Sequence, residues 1–192
     1  MFKVIDDFLE PYVADRIEYI LSSTEFPWYY HNHIAYKSDT FEESKLVGEE
    51  DGLDRYQFVH SFKSNILGTS SVWFDQSTLP IIDKLKIPFS QVIRAKVNLS
   101  LYTGRPYKSA YHIDNIDPHR VALYYVNTNN GYTELETGEK INCVKNRIVL
   151  FDGMIKHRAI KQTDTKQRMA ININYENASP EKKYGENNNL KP

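Results

Sequence analysis

The chain has 192 residues, with 24 Lys plus Arg set against 25 Asp plus Glu and a formal net charge of −1. That length suits one domain with a real core, and the balanced charge speaks against a dedicated nucleic-acid binder, whose affinity rests on clustered cations. Cys143 is the only cysteine, which excludes an internal disulfide or a thiolate metal cluster and points to a reducing, cytoplasmic compartment.

From the N-terminus, Met1 to Glu10 is acidic and lacks the apolar run of a signal peptide. Pro11 is followed by Val13, Ile17, Ile20 and Leu21 at helical spacing, which predicts an amphipathic helix over residues 10–22 with proline in its first turn. Phe26-Pro27-Trp28-Tyr29-Tyr30 reads as an aromatic strand or wall. Residues 37–55 are highly charged with two glycines, the composition of a long solvated loop that could serve as a lid. Pro80 to Leu85 suggests a second short helix closing on Pro88.

From Ser90 onward the pattern changes to strands at 92–102, 120–127, 132–136, 147–152 and 168–176, separated by turn residues. Asn129-Asn130-Gly131 has the chemistry of a tight hairpin, and Asp152-Gly153 is another turn. The longest apolar run, Val121 to Val126, is strand-sized and too short to span a bilayer. Many short strands without intervening helices predict a mainly β domain with flanking helices, an antiparallel jelly roll like that of the cupins. The whole chain thus reads as one domain. Residues 1–89 give helical and strand support, 90–178 the β core and 179–192 a flexible tail with little to bury.

Six histidines are candidates for chemistry, and His112-Ile113-Asp114 stands out. On an extended strand residues i and i+2 leave the same face, so an imidazole and a carboxylate can reach one ion. With 25 acidic residues in the chain, a single His-x-Asp arises readily by chance and decides nothing alone. Asp117-Pro118-His119 and His31-Asn32-His33 are competing pairs. Proline spoils a regular strand in the first, and the second sits beside the aromatic segment. His157 offers a third ligand, and two imidazoles with one carboxylate form the facial set of non-haem Fe(II) oxygen chemistry.

The order of these segments resembles the Fe(II)/2-oxoglutarate-dependent dioxygenase superfamily, nearest to its prolyl-4-hydroxylase-like members. VIDDFLEPYVADRI is similar to the opening strand and helix, VNLSLYTGRPYKSAYHID to the strand leading into His-x-Asp, and ALYYVNTNNGYTELETGEKI to the following hairpin. NRIVLFDGMIKHRAI resembles the segment with the distal histidine, and QRMAININY the last core strand. The resemblance implies a double-stranded β-helix with Fe(II) on His112, Asp114 and His157. It implies Arg168 as the salt-bridge partner of the distal carboxylate of 2-oxoglutarate, with Tyr102 and Asn98 as further cosubstrate contacts. Where many relatives carry serine or threonine two residues after the arginine, this chain has Ala170.

The implied reaction consumes O2 and 2-oxoglutarate, releases succinate and CO2, and hydroxylates a peptide residue or small molecule. Asp114 favours hydroxylation over halogenation, and a prolyl peptide is the nearest family substrate. Asp152 and Asn172 are candidates to accept from the outer N–H of the ligand histidines, and Tyr29, Tyr30, Tyr107 and Tyr111 could line an entrance. Two other readings stand beside this one. A cupin-like binding module would need neither His157 nor Arg168, and a nucleic-acid demethylase of the same superfamily would need a basic stripe.

Overall fold

The computed structural model describes residues 2–32, 56–65, 68–69 and 71–176. The expected lid loop 37–55 and the tail 179–192 lie outside the described residues. Proline at the first position opens helix α1 (Pro11–Ser22), whose Ala14, Ile17, Ile20 and Leu21 form its buried stripe. Two short helices follow later, α2 (Phe74–Ser77) and α3 (Leu79–Leu85), the latter also opened by a proline. None of the described helices is long and apolar enough to cross a membrane.

The strands are β1 (Lys3–Ile5), β2 (Tyr29–His31), β3 (Gln57–Ser64), β4 (Gly68–Thr69), β5 (Val92–Leu101), β6 (Arg120–Tyr125), β7 (Tyr132–Leu135), β8 (Lys140–Asn142), β9 (Arg147–Asp152), β10 (His157–Ile160) and β11 (Gln167–Tyr175). The larger sheet runs β1-β9-β6-β11-β5-β3-β2, with β4 on β3, and a smaller sheet runs β10-β7-β8. Residues 107–112 continue the smaller sheet beyond β10. Isolated antiparallel bridges join Lys108 to Ile160 and His112 to His157. The two facing antiparallel sheets make the double-stranded β-helix that the strand pattern predicted.

Period-two alternation gives the larger sheet two different faces. Ala95, Val97 and Leu99 of β5, Tyr124 of β6 and Met169, Ile171 and Ile173 of β11 pack with Ile17 and Leu21 of α1 and Ile81 and Ile82 of α3. On the other face Val121, Leu123 and Tyr125 of β6, Val149 and Phe151 of β9 and Ala170 of β11 meet Leu135, Ile141 and Cys143 of the smaller sheet. Each buried large side chain contributes roughly 1.5–3 kcal/mol, so the residues between them on β5 and β11 are free to be polar and face the interior of the roll.

One of the two expected turns differs from expectation, and the turn at Asp152-Gly153 is present. Asn129-Asn130-Gly131 does not close a β6–β7 hairpin, because β6 pairs with β9 and β11 while β7 pairs with β10 and β8. The segment carries the chain between sheets instead. A methyl group on Gly131 would sit 2.8 Å from the Ile160 carbonyl oxygen and 3.1 Å from Arg168 Cδ, so its glycine is required for close approach. The observed hairpin is β7–β8, turned through Gly138 at φ +101°. At Asp152-Gly153 the glycine again makes room, since a Cβ on Gly153 would overlap the His119 ring at 2.2 Å.

Candidate metal centre

His112 and His157 face one another across the junction of segment 107–112 with β10. The His112 N–H donates to the His157 carbonyl at 3.1 Å and the His157 N–H donates back at 2.9 Å. This hydrogen-bonded pair places the two imidazoles side by side, ring centroids 4.6 Å apart. Asp114 swings in two residues later, and the ligand atoms of His112, Asp114 and His157 all lie within 4.8 Å of one another. Among the described residues this is the only group of three or more His, Cys, Asp or Glu so arranged. The competing pair at Asp117 and His119 does not join it. Buried His119 packs over Gly153, and its Nδ1 meets the Asp117 carbonyl at 2.8 Å. His31 also stays outside the group, and His33 lies outside the described residues.

The larger sheet fixes the carboxylate. Arg94 of β5 donates to Asp114 Oδ1 at 2.8 Å, and Asn172 and Asn174 of β11 donate to Oδ2 at 2.9 and 3.1 Å. The outer N–H of each histidine turns to its own chain, Nδ1 of His112 to Ala110 O at 3.2 Å and Nδ1 of His157 to Ile155 O at 3.4 Å. This corrects the expectation that Asp152 or Asn172 holds the histidines. Asn172 serves the carboxylate, and Asp152 accepts from the Met154 N–H at 3.0 Å. A histidine that bonds a carbonyl two residues away needs no sequence-distant partner, which is why the sequence alone could not select one.

Electrostatics favour a ligand set ready for a cation. Burial and the neighbouring His157 lower the His112 pKa to about 4, and burial lowers that of His157, so both imidazoles are neutral at pH 7. Burial opposes ionisation of Asp114, but His157, Arg94 and Lys96 outweigh it and hold the carboxyl below the usual carboxylate range. Neutral imidazole and ionised carboxylate are the forms that bind a divalent metal.

Arg168 lies on β11 at the same interior face and is 4% exposed. Its Nε donates to Cys143 Sγ at 3.0 Å and its Nη2 to Thr133 Oγ1 at 3.3 Å. Thr133 in turn accepts from the Tyr125 hydroxyl at 2.7 Å. Among the described residues no carboxylate pairs with this guanidinium. Asn98 pairs across β5–β11 with Ala170, and its buried Oδ1 has no hydrogen-bond partner. Tyr102, one residue beyond β5, is 52% exposed at the rim. Tyr30 stacks on Tyr56 at the β2 edge, and Tyr111 lies under the Arg158 guanidinium at 4.3 Å. The supporting roles of Arg94, Asn174, Thr133 and Cys143 were not anticipated. Period two on β5 and β11 was the available signal, since it aligns Arg94 with Asn98 and Asn172 with Asn174.

No protein-family model matches the sequence, and no curated protein matches it. Solved structures match in fold. A prolyl hydroxylase from Trichoplax adhaerens, in complex with a hypoxia-inducible-factor oxygen-degradation-domain peptide fragment, is similar over 91% of this chain and 82% of its own, with TM-score 0.57 and 15% identity. A prolyl-4-hydroxylase from Pseudomonas putida is similar over 91% of each chain, with TM-score 0.55 and 11% identity. The non-haem α-ketoglutarate-dependent epimerase of nogalamycin biosynthesis is similar over 93% of this chain and 77% of its own, with TM-score 0.59 and 10% identity. The shared feature is the double-stranded β-helix.

Proposed function

We propose that the chain is an Fe(II)- and 2-oxoglutarate-dependent oxygenase that hydroxylates a peptide residue or a small molecule. The observation that carries this reading is the His112–Asp114–His157 cluster on the same interior as a buried arginine that lacks a carboxylate partner among the described residues. The fold likeness to oxygenases of this kind supports it, and the peptide complex of the Trichoplax enzyme makes a peptide one candidate substrate class.

Each residue has a role that follows from its placement. His112, Asp114 and His157 would hold the ion on one side, leaving its other positions open to ligands. Arg94, Asn172 and Asn174 hold the carboxylate in one orientation, and the packing of Phe151 against His157, centroids 5.1 Å apart, fixes that ring. Arg168 would take the distal carboxylate of 2-oxoglutarate, since a planar guanidinium suits a bidentate anion. Cys143 and Thr133 hold the guanidinium in place before the cosubstrate arrives. When bound, Fe(II) with 2-oxoglutarate and O2 supplies oxidation of a C–H bond coupled to decarboxylation of the keto acid to succinate and CO2. With a carboxylate as third ligand, hydroxylation is the outcome we assign.

The test is anaerobic addition of Fe(II) and 2-oxoglutarate. Wild type should develop a visible metal-to-ligand charge-transfer band, and His112→Ala should not. A wild-type protein with no band and no succinate in air would remove the oxygenase reading and leave a small-molecule-binding barrel.

A further inference from the structure

The interior row of β5 carries a cation, Lys96, whose charge helps keep Asp114 ionised but which makes no hydrogen bond or ion pair with it. Arg94, Lys96 and Asn98 alternate with Ala95, Val97 and Leu99, which belong to the helix-side core. Lys96 therefore points into the roll, part-buried, on the rung opposite Asn172. The Arg94 charge is matched by Asp114 at 2.8 Å, and that carboxylate is already filled by Asn172 and Asn174. Lys96 has no hydrogen-bond or ion-pair partner among the described residues.

The register separates Lys96 from the cosubstrate anchor. Arg168 pairs with Ser100, four residues further along β5, or about 13 Å of strand. Lys96 lies at the metal end, where its charge is felt by His112, Asp114 and His157. With Fe(II) and 2-oxoglutarate bound, Asp114 and the two carboxylates of the keto acid do not balance the ion, Arg94, Lys96 and Arg168. The surplus is positive, and an uncompensated charge away from bulk water is costly. Among the described residues no further carboxylate supplies the missing negative charge, and an anion arriving with the substrate would supply it.

We infer that the substrate of this oxygenase carries an anionic group, a carboxylate or a phosphate, that ion-pairs with Lys96 beside the metal. The inference rests on the oxygenase reading and adds the substrate's charge class to it. Burial and the Arg94 charge lower the Lys96 pKa to about 8 in the metal-free protein, and an anion beside it favours the ammonium form. Lys96 acts in this scheme as a specificity residue.

The experiment titrates the anaerobic Fe(II)–2-oxoglutarate holoprotein with propionate, methyl phosphate and the neutral propionamide, followed by calorimetry and by the position of the charge-transfer band. An anion should bind at least about tenfold more tightly than propionamide, the size expected of one charge-assisted contact. Lys96→Met should erase that preference, and Lys96→Arg should keep it. The affinity for 2-oxoglutarate should be the same in both variants as in wild type, which also reports that they fold. Propionate ahead of methyl phosphate assigns a carboxylate, and the reverse order assigns a phosphate. The inference is overturned if wild type does not prefer either anion, or if Lys96→Met keeps the preference. It is also overturned if Lys96→Met weakens 2-oxoglutarate instead, which would make Lys96 a cosubstrate anchor. Absence of a charge-transfer band in wild type defeats the oxygenase reading separately, while the calorimetry still decides whether Lys96 holds an anion.

Discussion

Replacing Arg168 with methionine separates cosubstrate anchoring from structural support. The guanidinium is buried, and its observed contacts are a thiol at 3.0 Å and a hydroxyl at 3.3 Å, weak acceptors for a full charge. A buried cation without a counter-charge contributes little to folding, and an apolar replacement of similar length is often neutral or stabilising. The metal-free Arg168→Met protein should therefore unfold within about 1 kcal/mol of wild type. Its response to 2-oxoglutarate should differ sharply. Ligand at 100 times its dissociation constant stabilises wild type by about 2.7 kcal/mol, a rise in Tm of roughly 5–11 °C for a chain of this size. Removing one partner of a buried charge pair costs about 2–5 kcal/mol of affinity, which cuts that stabilisation to about 1 kcal/mol or less at the same concentration. Thermal melts of the Mn(II)- or Fe(II)-loaded protein, with and without 2-oxoglutarate, provide the assay. A metal-free variant destabilised by more than about 3 kcal/mol, or an undiminished ligand-induced rise, would refute the reasoning and make Arg168 a structural residue.

Three further outcomes follow from the same contacts. Asn172→Ala removes a donor to Asp114 Oδ2 and should weaken metal binding by about 10–100-fold, measured by equilibrium titration with Fe(II) or Mn(II); unchanged affinity would show that Arg94 and Asn174 suffice. Gly131→Ala places a methyl 2.8 Å from the Ile160 carbonyl and 3.1 Å from the Arg168 stem, so it should cost about 1–3 kcal/mol by denaturant unfolding and weaken 2-oxoglutarate, whereas wild-type values in both would contradict that packing. His60, His112 and His157 are all held below the ordinary histidine value of 6.5, His112 to about 4. The unfolded chain then takes up protons first, so this contribution is complete above about pH 6.5 and is lost as pH falls through the folded values. Urea melts of the metal-free protein at pH 7.5, 5.5 and 4.5 should give decreasing stability, and a rise on acidification would overturn the assignment.

Much of the core was legible because period two is a local signal. The strands at β5, β6, β7, β9 and β11 and the helices at α1 and α3 were each readable from spacing and from proline or glycine punctuation. Strands β3 and β8 were not singled out. In β3 the buried faces include His60 and Lys63, so polar residues interrupt the hydrophobic pattern that marks a strand. Strand β8, Lys140–Asn142, has a single buried residue, Ile141, too short a pattern to read. Asn129–Gly131 does not make the hairpin its residues favour, because asparagine and glycine suit a tight turn locally, while the choice of strand partner is settled by the rest of the sheet.

The residue types of the candidate metal site were set by the sequence itself. It placed His112 and Asp114 two apart on extended chain, supplied His157 and Arg168 downstream, and kept cysteine out of the metal chemistry. Only the tertiary structure decided that these residues meet, because the bridge between His112 and His157 joins positions 45 residues apart across two strands. It also decided that the carboxylate is held by Arg94, Asn172 and Asn174, and that Lys96 has no ion-pair partner among the described residues. Hydrogen bonding and charge balance depend on which strands lie side by side, and sheet register is a property of the whole fold, whereas side-chain alternation belongs to each strand alone.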